Sequence, residues 1–135
     1  MSVMSELKFY LMHFMPYPDI APNMPNGQWV DIPNTRFDAK VGHKLYQEYL
    51  DELVLGDELG FDGLVVNEHH ATFYSLMPSC TVIAAALVAR TKKANICVFG
   101  TPITLTYPHR LAEEYAMLDV MSGGRLECAF PLGTG

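Results

Sequence analysis

The sequence is sparing in the features that most quickly settle a protein's class. Its 135 residues hold nine Lys and Arg against fifteen Asp and Glu, for a net charge of −6. The basic residues nowhere cluster, which argues against a nucleic-acid or anionic-membrane surface. Cysteine is scarce: Cys80, Cys97 and Cys128 are odd in number, far apart and without paired metal-ligand spacing. That pattern suits a reducing, cytoplasmic setting rather than a disulfide framework. No apolar run approaches the length of a membrane span. The apolar start, Met1 to Met15, is broken by Glu6, Lys8 and His13 and lacks a small-residue cleavage site, so it does not read as a signal peptide. Also missing is a glycine-rich phosphate fingerprint after the first strand-like segment, which weakens a dinucleotide-binding fold.

What remains is a globular composition, 50% hydrophobic and 18% charged, enough for one modest domain. Leu7 to Phe14 is aromatic and apolar and predicts a first strand. Met15 to Asp38 then carries Pro16, Pro18, Pro22, Pro25 and Pro33, an Asn26-Gly27 turn signal and the single tryptophan, Trp29. A connection this long is usually functional or disordered; spending Trp29, Val30 and Ile32 in it favours an ordered loop that packs on something. From Ala39 to Leu59 the period becomes helical, with Leu45, Tyr49, Leu50, Leu53 and Val54 on one face and Lys44, Gln47, Glu48, Asp51 and Glu58 on the other. Strands are predicted at 62–67, 95–100 and 126–130. A helix over 78–90, apolar nearly all round and mostly buried, and another over 109–121 lie between them. Alternating strands and helices imply parallel pairing with right-handed crossovers. The sheet closes either as an open doubly wound sheet or as part of an eight-stranded barrel, which needs about 250 residues.

The most informative stretch is Gly60-Phe61-Asp62-Gly63-Leu64-Val65-Val66-Asn67-Glu68-His69-His70. An apolar strand ends in titratable side chains, and in parallel α/β proteins chemistry sits at the carboxyl ends of strands. An imidazole exchanges protons near neutral pH.

Together with Pro78 to Arg90, Tyr107-Pro108-His109-Arg110-Leu111-Ala112-Glu113-Glu114 and Met117-Leu118-Asp119-Val120-Met121-Ser122-Gly123-Gly124-Arg125-Leu126, this stretch resembles the bacterial luciferase-like flavin-dependent monooxygenases. The likeness runs from about Val41 to the end of the chain. It implies a partial TIM barrel, a (βα)3β half of a (β/α)8 barrel, with residues 1–135 the truncated amino-terminal part of the domain. It implies a monooxygenase that uses reduced FMN and O2 on a small organic substrate. A separate flavin reductase, a homo-oligomer at full length, and in some branches a deazaflavin-dependent dehydrogenase are further implications. By the resemblance His69 is the catalytic imidazole, and Asn67 and Glu68 border the flavin. The main chain of Gly100-Thr101-Pro102 passes close to the ring, and Leu132, Gly133 and Thr134 line it. The luciferases carry an arginine where Leu132 aligns, and the stretch from Gly100 to Arg110 is shorter here. Both departures point away from light-emitting aldehyde oxidation.

Plainer readings stand beside these. His70 is expected to brace a neighbouring helix, Glu68 to serve as a base or to pair with a buried arginine, and Arg110 to form an exposed ion pair with Glu114. Arg125 is expected to compensate Asp119 at a helix end. Cys97 and Cys128 are expected to be small buried thiols. Competing functions are a metal-dependent hydrolase using Glu68, His69 and His109, and an inactive fragment or pairing subunit. Phosphate sites in such barrels commonly come from late strands, so residues 1–135 alone are expected to bind FMN weakly or not at all.

Overall fold

The computed structural model describes residues 7–18 and 33–131. Its elements are β1 (Tyr10–Met12), α1 (Ala39–Leu59), β2 (Gly63–Val66), α2 (Cys80–Arg90), β3 (Asn95–Phe99), α3 (Pro108–Ser122) and β4 (Leu126–Ala129), with a 3-10 turn at Asn34–Arg36.

Helix α1 begins and ends where its sequence dictates. The Asp38 carboxylate accepts hydrogen bonds from the main-chain N–H groups of Lys40 (2.7 Å) and Val41 (3.3 Å), a cap worth about 1 kcal/mol. At the other end Gly60 takes the left-handed conformation at φ +88°, which glycine adopts without a Cβ clash. Of the apolar stripe, Leu45, Leu50 and Leu53 are buried, and Tyr49 and Val54 half-buried.

The four strands pair in parallel in the order β1-β2-β3-β4. Tyr10 lies opposite Gly63, Gly63 opposite Asn95, and Ile96 opposite Leu126. Strand alternation sends Leu64, Val66, Ile96 and Val98 to one face. There they join Leu53 of α1, Leu87 of α2 and Leu118 of α3 in one core cluster. Each fully buried Leu, Ile or Val in it contributes about 1.5–3 kcal/mol relative to exposure. Sequential strand order with all three helices on one face is the winding of a barrel; a doubly wound sheet would reverse its order. The opposite face carries Tyr10, Met12 and Phe99, all exposed. β1 and β4 form the edges.

Several expectations are corrected. β1 is three residues, not eight. The Asp62 carboxylate takes the Phe9 N–H (2.7 Å) and the Asp62 N–H donates to Phe9 O (2.9 Å), so the chain is held in a side-chain clasp before the ladder starts. Helix α2 buries one side rather than its whole surface: Val82 is 66% exposed, and Ala89 is exposed too. Cys97 is half-buried, but Cys128 is exposed, because β4 has a neighbouring strand on one side only. Arg125 does not turn to Asp119. Its guanidinium donates to Ser122 O (2.9 Å), Ala94 O (2.7 Å) and Thr91 Oγ1 (3.0 Å). Helix α3 stops at Ser122-Gly123-Gly124, with Gly123 and Gly124 at φ +73° and +82°.

The long connection's Trp29, Val30 and Ile32 lie outside the described residues. Its first residues do pack: Met15 and Tyr17 are buried in the core cluster, and Tyr17 Oη accepts the N–H of Asp38 at 3.1 Å.

Candidate active site at the carboxyl ends of β1 to β3

β2 stops at Val66, so strand alternation no longer governs the four polar residues that follow. Asn67 is 2% exposed. Its side-chain amide donates to His13 O beyond β1 (3.0 Å), and its Oδ1 faces His69 Nδ1 (2.9 Å) and the Ser75 hydroxyl (3.3 Å). A main-chain bond from His69 N–H to Met77 O (3.0 Å) closes the turn. The His69 ring is half-buried, with Tyr74 edge-on at 5.1 Å and Phe14 at 6.1 Å between ring centres. His69 is among the residues lining a cavity of about 400 Å³, with Phe37, Tyr46, Ser75, Leu76 and Pro78. Burial, and next the nearby His70, hold its pKa below the ordinary imidazole value. The neutral ring, able to accept a proton, is therefore favoured near neutral pH.

Two loops meet at this rim. Tyr17 N–H donates to Phe73 O and Leu76 N–H to Met15 O, each at 2.8 Å. Met15 and Ala71 take positive φ, +50° and +51°. Non-glycine residues pay about 1–2 kcal/mol for that conformation, and such strain gathers at functional sites.

Glu68 has no arginine partner. Its side chain is 8% exposed, and one oxygen meets His70 Nε2 at 2.9 Å. The other accepts from the Cys80 thiol (3.1 Å), which meets the Thr101 hydroxyl (2.8 Å), which meets the Tyr115 hydroxyl (2.7 Å). The single thiol proton goes to Glu68, so the chain has one direction: Tyr115 donates to Thr101, Thr101 to Cys80, Cys80 to Glu68. Burial pushes the Cys80 thiol up to about 12 and raises the Tyr115 hydroxyl as well. Both keep their protons, as donors must, and Cys80 is no nucleophile.

The other candidates separate. Gly100, at φ +132°, packs so tightly that a Cβ there would lie 3.1 Å from Glu68 N; this brings the end of β3 against that of β2. Thr101 is buried with its hydroxyl committed inward, leaving only its main chain for a ligand. His70 is exposed and turns to Glu68, not to a helix. Arg110 pairs with Glu114 at 2.8 Å on the exposed face of α3, as expected. Leu132, Gly133 and Thr134 lie outside the described residues. His109, in the first turn of α3, faces Glu113 at 3.9 Å. No group of three His, Cys, Asp or Glu among the described residues could hold a metal ion, so Glu68, His69 and His109 do not form the hydrolase centre weighed above. No helix among those residues is long and apolar enough to cross a membrane. Sequence reasoning missed Ser75, Cys80 and Tyr115. The first two are short polar residues flanking Pro78, and no spacing rule flags them.

A parallel, sequentially wound sheet with an imidazole at a strand end defines a barrel-type α/β protein with its site on the carboxyl rim. A family model described as luciferase-like monooxygenase matches residues 32–135, and the chain belongs to that family. The alkanal monooxygenase beta chain of Vibrio harveyi is 34% identical over 87 residues, covering 64% of this chain and 27% of its own. The oxygenase component of the flavin-dependent trigonelline monooxygenase of Acinetobacter baylyi is 28% identical over 96 residues, covering 71% and 27%. Among solved structures, monooxygenase RslO1 of Streptomyces bottropensis superposes with a TM-score of 0.68 at 27% identity, covering 92% of this chain and 32% of that one. The oxygenating constituent of 3,6-diketocamphane monooxygenase from Pseudomonas putida, solved with FMN, gives 0.71 at 19% identity, covering 96% and 30%. That last likeness shows the fold. The chain thus spans roughly a quarter to a third of the relatives it matches.

Proposed function

We propose that these residues are the amino-terminal part of the oxygenase of a flavin-dependent monooxygenase, with His69 as its proton-transferring residue. The observation that carries this reading is half-buried His69 at the carboxyl end of β2, beside a cavity and with its ring Nδ1 held by Asn67. The residues at hand fit a planar aromatic cofactor. The open face of the sheet offers the exposed side chains of Met12 and Phe99 beside the rim, and Gly100 places no side chain there. Bound reduced FMN would supply the electrons that activate O2.

The protein's part is to bind, orient and manage protons. The neutral His69 ring takes a proton from, or as imidazolium returns one to, the reacting oxygen atoms. Phe14 and Tyr74 pack its sides and limit water. Glu68, fixed by Cys80 and His70, lies at the same strand end. A separate reductase would supply the reduced flavin, in keeping with relatives named as oxygenase components. The substrate is a small organic molecule other than a luciferase aldehyde, since Leu132 stands where the luciferases carry arginine.

The test is His69→Ala in the full-length protein, with flavin reoxidation followed by stopped-flow absorbance and substrate oxidation measured in parallel. Loss of a general acid–base group costs about 100- to 10,000-fold. Unchanged kinetics removes His69 from the mechanism.

A further inference from the structure

Asn67 does something more specific than border a site. Its amide orientation is fixed by what lies on either side. His13 O, a carbonyl that only accepts, lies 3.0 Å from Asn67 Nδ2. A flipped amide would set two oxygens against each other. Asn67 Oδ1 therefore faces the other way, towards the Ser75 hydroxyl at 3.3 Å and His69 Nδ1 at 2.9 Å. Ser75 is itself oriented, because its oxygen accepts the Met77 N–H at 3.2 Å and its single proton is left for Asn67. An acceptor facing Nδ1 requires a proton on Nδ1.

We infer that Asn67 is a positioning residue that locks the neutral His69 imidazole in its Nδ1–H tautomer, so that Nε2 carries the lone pair. His69 Nε2 has no hydrogen-bond partner among the described residues, and His69 is among the residues that line the cavity. The tautomer thus decides which nitrogen acts as base. Histidine in water prefers the opposite tautomer, with the proton on Nε2, so the protein works against the intrinsic preference. This rests on the reading of His69 given above but deepens it, since it names the reactive nitrogen and the residue that selects it.

A built-in control lies at the neighbouring strand end. His13 Nδ1 accepts the Met15 N–H at 2.8 Å, and its Nε2 meets Glu52 at 2.9 Å. Neutral His13 therefore carries its proton on Nε2. Two imidazoles at adjacent strand ends, joined through Asn67 and His13 O, are held in opposite tautomers.

Long-range proton–nitrogen correlation spectra of the full-length protein labelled with 15N-histidine read both tautomers without flavin or turnover. His69→Gln and His13→Gln identify the signals. Above the His69 titration, the wild type is expected to show His69 as Nδ1–H by about tenfold or more, and His13 as Nε2–H. Asn67→Ala is expected to bring the His69 ratio to unity or below. Asn67→Asp, which keeps an acceptor facing Nδ1, is expected to preserve Nδ1–H. A wild-type His69 protonated on Nε2 overturns the inference whether or not any variant folds; so does Asn67→Ala with the tautomer ratio unmoved. Because the readout needs no catalysis, the outcome is separate from the activity test: a locked tautomer with a fully active His69→Ala protein would sink only the catalytic role.

Discussion

Asp57 and Arg125 grip the same short turn with opposite charges. The Asp57 carboxylate, on the buried side of α1, accepts the main-chain N–H groups of Lys92 (3.0 Å), Lys93 (2.9 Å) and Ala94 (2.6 Å) between α2 and β3. Arg125, just before β4, donates to the oxygens of Thr91 and Ala94 in that turn. One side chain satisfies its donors and the other its acceptors, so a turn with no regular structure becomes a rigid joint at the amino-terminal end of the sheet. In barrels, that end serves stability.

Removing Asp57 should therefore cost stability and leave chemistry alone. Burial pushes its carboxyl up, but the three N–H donors and the Arg125 charge outweigh this and hold the pKa below the ordinary carboxylate value. A lowered folded-state pKa contributes stability that is present above the unfolded value, near 4, and lost as pH falls through the folded one. Asp57→Ala should lower the unfolding free energy by about 2–4 kcal/mol at neutral pH, and less at about pH 3. Urea midpoints of the full-length protein at the two pH values check this; an equal loss at both would show that the charge is immaterial.

The chain from Tyr115 to Glu68 predicts a graded response. Tyr115→Phe takes away the outermost donor and leaves Thr101 still able to donate inward, a loss of about 1 kcal/mol. Cys80→Ala leaves the buried Glu68 oxygen without its donor and should cost more, about 2–3 kcal/mol. Denaturant midpoints rank the two variants. The reverse order would refute the direction assigned to the chain.

Two rim positions should respond with opposite sign. Ala71 sits at φ +51°, and Ala71→Gly relieves about 1–2 kcal/mol of left-handed strain against about 0.5–1 kcal/mol of added chain entropy. A small gain in melting temperature is expected. Gly100, at φ +132° and hard against Glu68 N, has no room for a methyl group. Gly100→Ala should destabilise by about 1–3 kcal/mol and weaken flavin binding. Calorimetric melts of both variants beside the wild type separate the signs.

Much of this fold was legible because its signals are local. The Leu45 to Leu53 stripe, the Gly60 stop and the apolar Leu64-Val65-Val66 run each follow from period and capping. Strand order was legible only as two alternatives, because pairing depends on helices packing together on one face, which no single segment encodes. Of the candidate site, His69 was legible from its place after a strand. Ser75, Cys80, Tyr115 and the inward turn of Thr101 were not, because their roles arise from hydrogen bonds across long sequence separations. Arg125 misled for the same reason: Asp119 is near in sequence, but the unpaired carbonyls of the α2–β3 turn are nearer in space.

The lowered pKa of His69 has a signature in stability as well as in chemistry. Burial, then His70, disfavours the imidazolium in the folded protein, whereas the unfolded chain takes up the proton below about pH 6.5. The unfolded state therefore binds more protons in that window, and stability falls as pH drops through it. His69→Asn places an amide N–H where Nδ1–H stands, keeps the bond to Asn67 and cannot titrate. Between about pH 7.5 and pH 5.5 the variant should lose less stability than the wild type. Asp57, ionised throughout that range, does not contribute to the difference. If urea midpoints of the two proteins fall in parallel, the His69 ring is not held neutral by its surroundings, and the ground for calling it a poised base is gone.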